Sequence, residues 1–138
     1  MSATGRSELI ATWEERHLSL ALETLARVQW EVGRAIPGWS EGEPEFIRTT
    51  FLALIKEVTE LLDHFDWKQW KQPIEESDGG EAAGEFADVL AFLGYVVLFL
   101  GYRGVMPDDL AAAYARKTAL NQKRLAGEVE GYGINERS

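Results

Sequence analysis

Apolar residues recur along most of this chain at spacings of three and four, the period of a helix that buries one face. Leu18, Leu22, Leu25, Val28 and Val32 form the first such face and predict a helix from about Ser7 to about Ile36. Pro37-Gly38 ends it, because proline cannot extend the hydrogen-bond ladder and glycine loosens the chain beyond it. The polar loop from Ser40 to Glu43 leads to Pro44, a good first-turn residue. A second helix runs from there to about Phe65, with Leu54, Val58, Leu61, Leu62 and Phe65 on its apolar side. Pro73 and the run Ser77-Asp78-Gly79-Gly80 then break the chain.

The third helix, from about Glu81 to about Tyr102, is apolar nearly all round. That predicts a central position or a covering second subunit. Arg103-Gly104 stops it, and Pro107 opens a fourth helix that runs to about Gly127. Asp108 and Asp109 suit the positive end of that helix's dipole. The tail from Glu128 to Ser138 holds Gly131, Gly133 and Asn135 and is expected to be loose. No strand pattern, internal repeat or low-complexity segment competes. Helices joined by short loops around one core predict an all-α fold, a four- to five-helix bundle.

Length and charge narrow the reading further. A chain of 138 residues is expected to form one domain, 1–138. Its 23 acidic and 14 basic residues give a formal net charge of -9. Such a surface repels a nucleic-acid polymer. With no cysteine, the chain has no disulfide, no zinc–thiolate site and no thiol nucleophile. Met1 to Leu9 shows no basic stretch followed by an apolar core, so no secretory signal is read there. The apolar run from Val89 to Leu100 falls short of the roughly 20 residues that span a bilayer. A soluble cytoplasmic protein is the expectation.

The surplus acids are concentrated. Glu57 and Glu60 stand three apart on the second helix, and Glu85 and Asp88 three apart on the third, with Glu81 one turn earlier. Each pair adjoins strongly apolar residues, so it lies at the edge of a packed face. Two helices packing there would gather four carboxylates, and like charges at close range oppose folding. Solvent, basic partners or a divalent cation would relieve this, and hard oxygen ligands suit Mg²⁺, with Mn²⁺ as a substitute. Paired glutamates also occur on wet helix faces, which is the plain alternative.

Between the two pairs lies Trp67-Lys68-Gln69-Trp70-Lys71. A Trp face stacks on a nucleobase and a Lys offers a compact charge to phosphate. The competing reading is an amphipathic helix end, with its aromatics in the core. Tyr114, Lys117, Asn121 and Arg124 form a stripe on the fourth helix that suits a triphosphate and a sugar, or else a solvated face. His17 and His64 pair with no obvious nucleophile and read as structural or surface residues.

Together these residues resemble a family. Glu57-x-x-Glu60 followed by Glu85-x-x-Asp88 resembles the metal-binding signature of the all-α NTP pyrophosphohydrolase superfamily, which includes MazG-like enzymes and the dimeric dUTPases. Trp67-Lys68-Gln69-Trp70 is similar to the aromatic-Lys-x-Trp element of the dimeric dUTPases, and the Tyr114-to-Arg124 stripe to their C-terminal motif. Gln29 resembles the Gln that contacts the uracil ring in that group. The chain departs from the family at Lys56, where MazG-type proteins often carry a further Glu, and at Gly33, where an Asn is usual. It departs again at Leu125, where a Gln is common, and it is shorter than many dimeric dUTPases. Gly33 cannot make an amide contact, so these departures bear on uracil specificity rather than on pyrophosphate chemistry.

The resemblance implies Mg²⁺-dependent hydrolysis of a nucleoside triphosphate, dUTP foremost, between the α- and β-phosphates. It implies metal ligation by Glu57, Glu60, Glu85 and Asp88, with Glu57 or Glu60 taking the water's proton. Substrate contacts would fall to Gln29, Trp67, Lys68, Trp70, Lys71, Tyr114, Lys117, Asn121 and Arg124. A homodimer is implied, with a tetramer as the alternative. The rival functions are a broad-specificity MazG-like dNTP or NTP pyrophosphohydrolase and a non-catalytic helical dimerisation module.

Overall fold

The computed structural model describes residues 3–37, 39, 43–71, 74–75 and 79–127, with side chains from residue 14 onward. Four helices follow one another: α1 (Ala3–Gly33), α2 (Pro44–Leu62), α3 (Gly79–Gly101) and α4 (Pro107–Leu125). Among the described residues all regular structure is helical, so the fold is all-α. Gly38, residues 40–42, Pro73, Ser77-Asp78 and the expected loose tail lie outside the described residues. The helix ends differ from the periodic reading by a few residues. The turn begins at Arg34 rather than after Ile36, and α2 closes at Leu62, where Asp63 N–H bonds back to Thr59 O at 3.1 Å. At the far end of α3, Arg103 Nη1 donates to Phe99 O at 2.9 Å and satisfies a carbonyl the helix leaves open.

The chain divides into two compact units: Leu22–Gly104, and Met1–Ala21 with Val105–Ser138. α1 contributes a part to each.

In the first unit α2 and α3 pack against each other in opposite directions. Phe46, in the first turn of α2, meets Tyr95 and Phe99 of α3 edge to face at ring-centroid distances of 5.9 and 5.8 Å. Such T-shaped pairs favour ring edge against ring face. Val89, Tyr95, Val97 and Phe99 of α3 are buried, while Phe86 and Leu93 of the same helix are exposed. α1 crosses α3 at Gly94, where backbone comes very close. A Cβ there would lie 2.6 Å from Gln29 Cγ and 2.8 Å from Leu25 O, so only glycine allows this approach. By length and composition α3 is also long enough to cross a membrane, which the shorter Val89–Leu100 run is not.

Not all of the predicted apolar face is covered: Val58, Leu62 and, just past α2, Phe65 are exposed. On α2, Phe51, Ile55, Val58 and Leu62 follow spacings of four, three and four, and all are exposed, Ile55 by 62%. Val28 and Val32 of α1 are exposed as well. A continuous apolar stripe of this kind is unusual on a surface that faces only water.

In the second unit α4 starts at Pro107 as expected. Asp109 Oδ2 accepts the Met106 N–H at 2.9 Å, and Ser19 Oγ of α1 donates to Asp108. Ala111 is fully buried. Lys123 and Arg124 in the last turn match the negative end of the dipole.

Candidate active site

Three-residue spacing sends Glu85 and Asp88 off the same side of α3, and the antiparallel packing sets Glu57 of α2 against them. One carboxylate oxygen from each of the three lies within 4.8 Å of the others. Glu57 and Glu85 are half-buried and Asp88 is exposed. Glu57 Oε2 is shielded from solvent and has no hydrogen-bond partner. A buried oxygen of a charged group left without a partner is costly, and it marks a place where something positive is needed.

The electrostatics agree. The Glu57 carboxyl is pushed above the usual carboxylate range, first by burial, then by the charge of Glu60 and a hydrogen bond with it, then by Asp88 and Glu85. Each of these disfavours the anion. A hard divalent cation reverses all of them at once, and an all-oxygen donor set suits Mg²⁺ or Mn²⁺. The residues present therefore fit such an ion.

Glu60 stands somewhat apart from the other three. It interacts with Glu57, yet its Oε1 lies 3.9 Å from Lys56 Nζ, and it is not in the group of three. Of the four carboxylates singled out by spacing, the structure thus clusters Glu57, Glu85 and Asp88 and sets Glu60 at their side.

One neighbour was missed by sequence reasoning. His64 Nε2 is 3.8 Å from Glu85 Oε1, and the side chains of the pair are only 16% and 29% exposed. Helical spacing carried the signal. His64 follows Glu60 by four and Glu57 by seven, which is the carboxylate side of the helix continued one turn past its end.

The Trp67–Lys71 stretch is not a helix end but an irregular loop that comes after α2. Trp67, Lys68 and Lys71 line a cleft of about 330 Å³ together with Asp63, Phe65, Asp66 and Ile74. Lys68 Nζ sits 5.3 Å from the centre of the Trp67 ring, a cation–π contact. Trp70 meets Trp67 edge to face at 5.6 Å and is itself 72% exposed, so its broad face is open.

Gln29 is half-buried on α1, its stem held against Gly94. One turn further on, Gly33 is covered by the indole of Trp39: a Cβ at Gly33 would lie 2.5 Å from that ring. No larger side chain fits at this position while Trp39 stays in place. Trp39 Nε1 is buried and has no hydrogen-bond partner.

Tyr114, Lys117, Asn121 and Arg124 belong to the other compact unit and are described within it. Tyr114 and Lys117 are exposed, whereas Asn121 and Arg124 are half-buried, with Arg124 Nη1 donating to Asn121 Oδ1 at 3.4 Å.

A sequence model of a family described as dUTPase matches residues 21–105 of this chain. No curated protein matches, and no solved structure does. The matched span nearly coincides with the Leu22–Gly104 unit and contains all four carboxylates, Gln29 and the Trp67–Lys71 loop, but not α4.

Proposed function

Because the chain belongs to the dUTPase family, the all-α group of dimeric dUTPase-like and MazG-like proteins, we propose that it is a Mg²⁺-dependent pyrophosphohydrolase that converts dUTP to dUMP and pyrophosphate. A nucleotide pyrophosphohydrolase function of the dUTPase type comes from the family, and the base, the ion and the assembly are our reading. The observation that carries it is the Glu57–Glu85–Asp88 group, with its buried, unpartnered Glu57 oxygen.

Glu57, Glu85 and Asp88, with Glu60 alongside, would hold Mg²⁺, or Mn²⁺ in its place. When bound, the ion would neutralise the triphosphate and lower the pKa of a coordinated water. The protein's own groups do the rest. Glu57 or Glu60 takes a proton from the attacking water. The α–β anhydride bond breaks, one phosphorus gains the water oxygen, and pyrophosphate leaves. Lys68, Lys71, Lys117 and Arg124 balance charge on the phosphate oxygens. Trp67 and Trp70 wall or stack on the base, and Gln29 reads its edge with one amide donor and one acceptor. Tyr114 and Asn121 meet sugar or phosphate.

A second reading has an observation of its own. The Trp39 indole covers Gly33, where the family usually carries an Asn. A base site without that amide favours a broader, MazG-like range of dNTPs or NTPs. The exposed Phe51–Ile55–Val58–Leu62 stripe supports a homodimer, with a tetramer as the alternative. A cytoplasmic location away from membranes and nucleic-acid polymers completes the proposal.

Assaying pyrophosphate from dUTP, dTTP, dCTP, dATP and dGTP with Mg²⁺ present tests the reading. Much faster turnover of dUTP supports a dUTPase. Comparable rates assign the broad class, and no pyrophosphate from any of them contradicts both.

A further inference from the structure

His64 has no part in the chemistry of the proposed reaction, yet it sits against one of the three clustered carboxylates. Its Nε2 is 3.8 Å from Glu85 Oε1, and its side chain is 16% exposed. Its other ring nitrogen, Nδ1, is buried and has no hydrogen-bond partner. These observations come from opposite edges of the ring and point the same way. A proton on Nδ1 would bury an N–H with nothing to accept it, which is costly. A bare Nε2 would face the lone pairs of a carboxylate, which accepts and cannot donate. Placing the proton on Nε2 removes both problems.

We propose that His64 is a positioning residue for the metal site: its Nε2–H donates to Glu85 and fixes the direction in which that carboxylate presents its second oxygen. At 3.8 Å the contact is longer than a formed hydrogen bond. The proposal requires the Glu85 side chain to turn toward the ring. Outer partners of this kind orient a ligand and raise its affinity for the ion. The backbone supports the role. His64 N–H bonds to Leu61 O at 3.1 Å, so the ring is held by the turn that closes the helix bearing Glu57. This inference rests on the proposed metal site.

The test is Mn²⁺ affinity without nucleotide, read by the electron paramagnetic resonance of free Mn²⁺, for the native protein, His64→Ala, His64→Gln and His64→Asn. Outer-partner losses run about 10- to 100-fold in metal affinity, so His64→Ala is expected to weaken binding by about 10-fold. His64→Gln places an amide N–H near the Nε2 position and should restore most of it. His64→Asn reaches only as far as Nδ1 and should not. The ¹⁵N spectrum of the native ring, recorded without metal, should show the proton on Nε2. Native affinity in His64→Ala, or a proton on Nδ1, overturns the positioning role and leaves the metal site standing. No Mn²⁺ binding by the native protein overturns both.

Discussion

Between Leu22 and Gly104 the packed helices leave polar groups unanswered: Glu57 Oε2, His64 Nδ1 and Trp39 Nε1 are all buried without a partner. In the unit that holds α4, polar groups at both ends of the helix meet one another, although Arg124 Nε is also buried there. Asp109 caps Met106, Ser19 bonds Asp108, and Asn121 accepts from Arg124. A fold does not gain stability from a buried polar atom with nothing to bond. Such atoms accumulate where a ligand completes the structure. The match to the dUTPase family covers residues 21–105, the same unit, and stops before α4. We therefore place the proposed chemistry in the first unit, which holds the clustered carboxylates.

The sharpest way to break that contrast is to remove one charge from each unit. Asp88→Asn should abolish pyrophosphate release while the helical circular dichroism stays unchanged. Arg124→Ala should keep turnover and raise KM. Equal losses in kcat from the two variants would erase the distinction.

Next in size is a packing change in the first unit. Gly94→Ala drives a methyl against Gln29 Cγ and the Leu25 carbonyl, and the second of these is backbone that cannot swing aside. Overpacking of this kind typically costs about 1–3 kcal/mol, and a urea titration should show it. An unchanged midpoint would mean that α1 does not cross α3 closely.

A smaller effect is expected from pH. The folded Glu57 carboxyl lies above its ordinary value, so the native state holds a proton that the unfolded chain has already released. The cost is absent below the unfolded value. It grows as pH rises from there to the raised native value, and it stays constant above that. Metal-free protein should therefore lose urea resistance over this window. Glu57→Gln should flatten the slope, and a slope equal in the two proteins would remove Glu57 from the strained group.

The smallest effect is reserved for α4. Tyr114 is 64% exposed, and Tyr114→Phe should change stability by less than about 0.5 kcal/mol, as exposed substitutions usually do. A large loss would show that α4 is more than an auxiliary.

Much of this was legible in the chain. The period of three and four placed four helices, and prolines 44 and 107 marked two of their starts, because backbone rules act locally. The carboxylates were legible for the same reason: a spacing of three fixes a shared face. How far Glu60 stands from the other three was not, because that depends on which way a side chain turns and on Lys56 beside it. His64 was missed because it was sought beside a nucleophile instead of a carboxylate. The Trp67–Lys71 stretch reads as a possible helix end, yet it lies in a loop, where periodicity carries no information. Trp39 over Gly33 joins residues on either side of a turn, a contact that spacing does not encode.

The central claim is that the clustered carboxylates hold a divalent cation and use it to cut a triphosphate between its α- and β-phosphates. ³¹P nuclear magnetic resonance of the products from dUTP reads this directly, using chelator-stripped native protein and Glu57→Gln, each with and without Mg²⁺. The expected result is monophosphate and pyrophosphate from the native protein only when Mg²⁺ is added, and neither product from Glu57→Gln. Diphosphate with orthophosphate, or pyrophosphate released at the same rate without the metal or without Glu57, would contradict it.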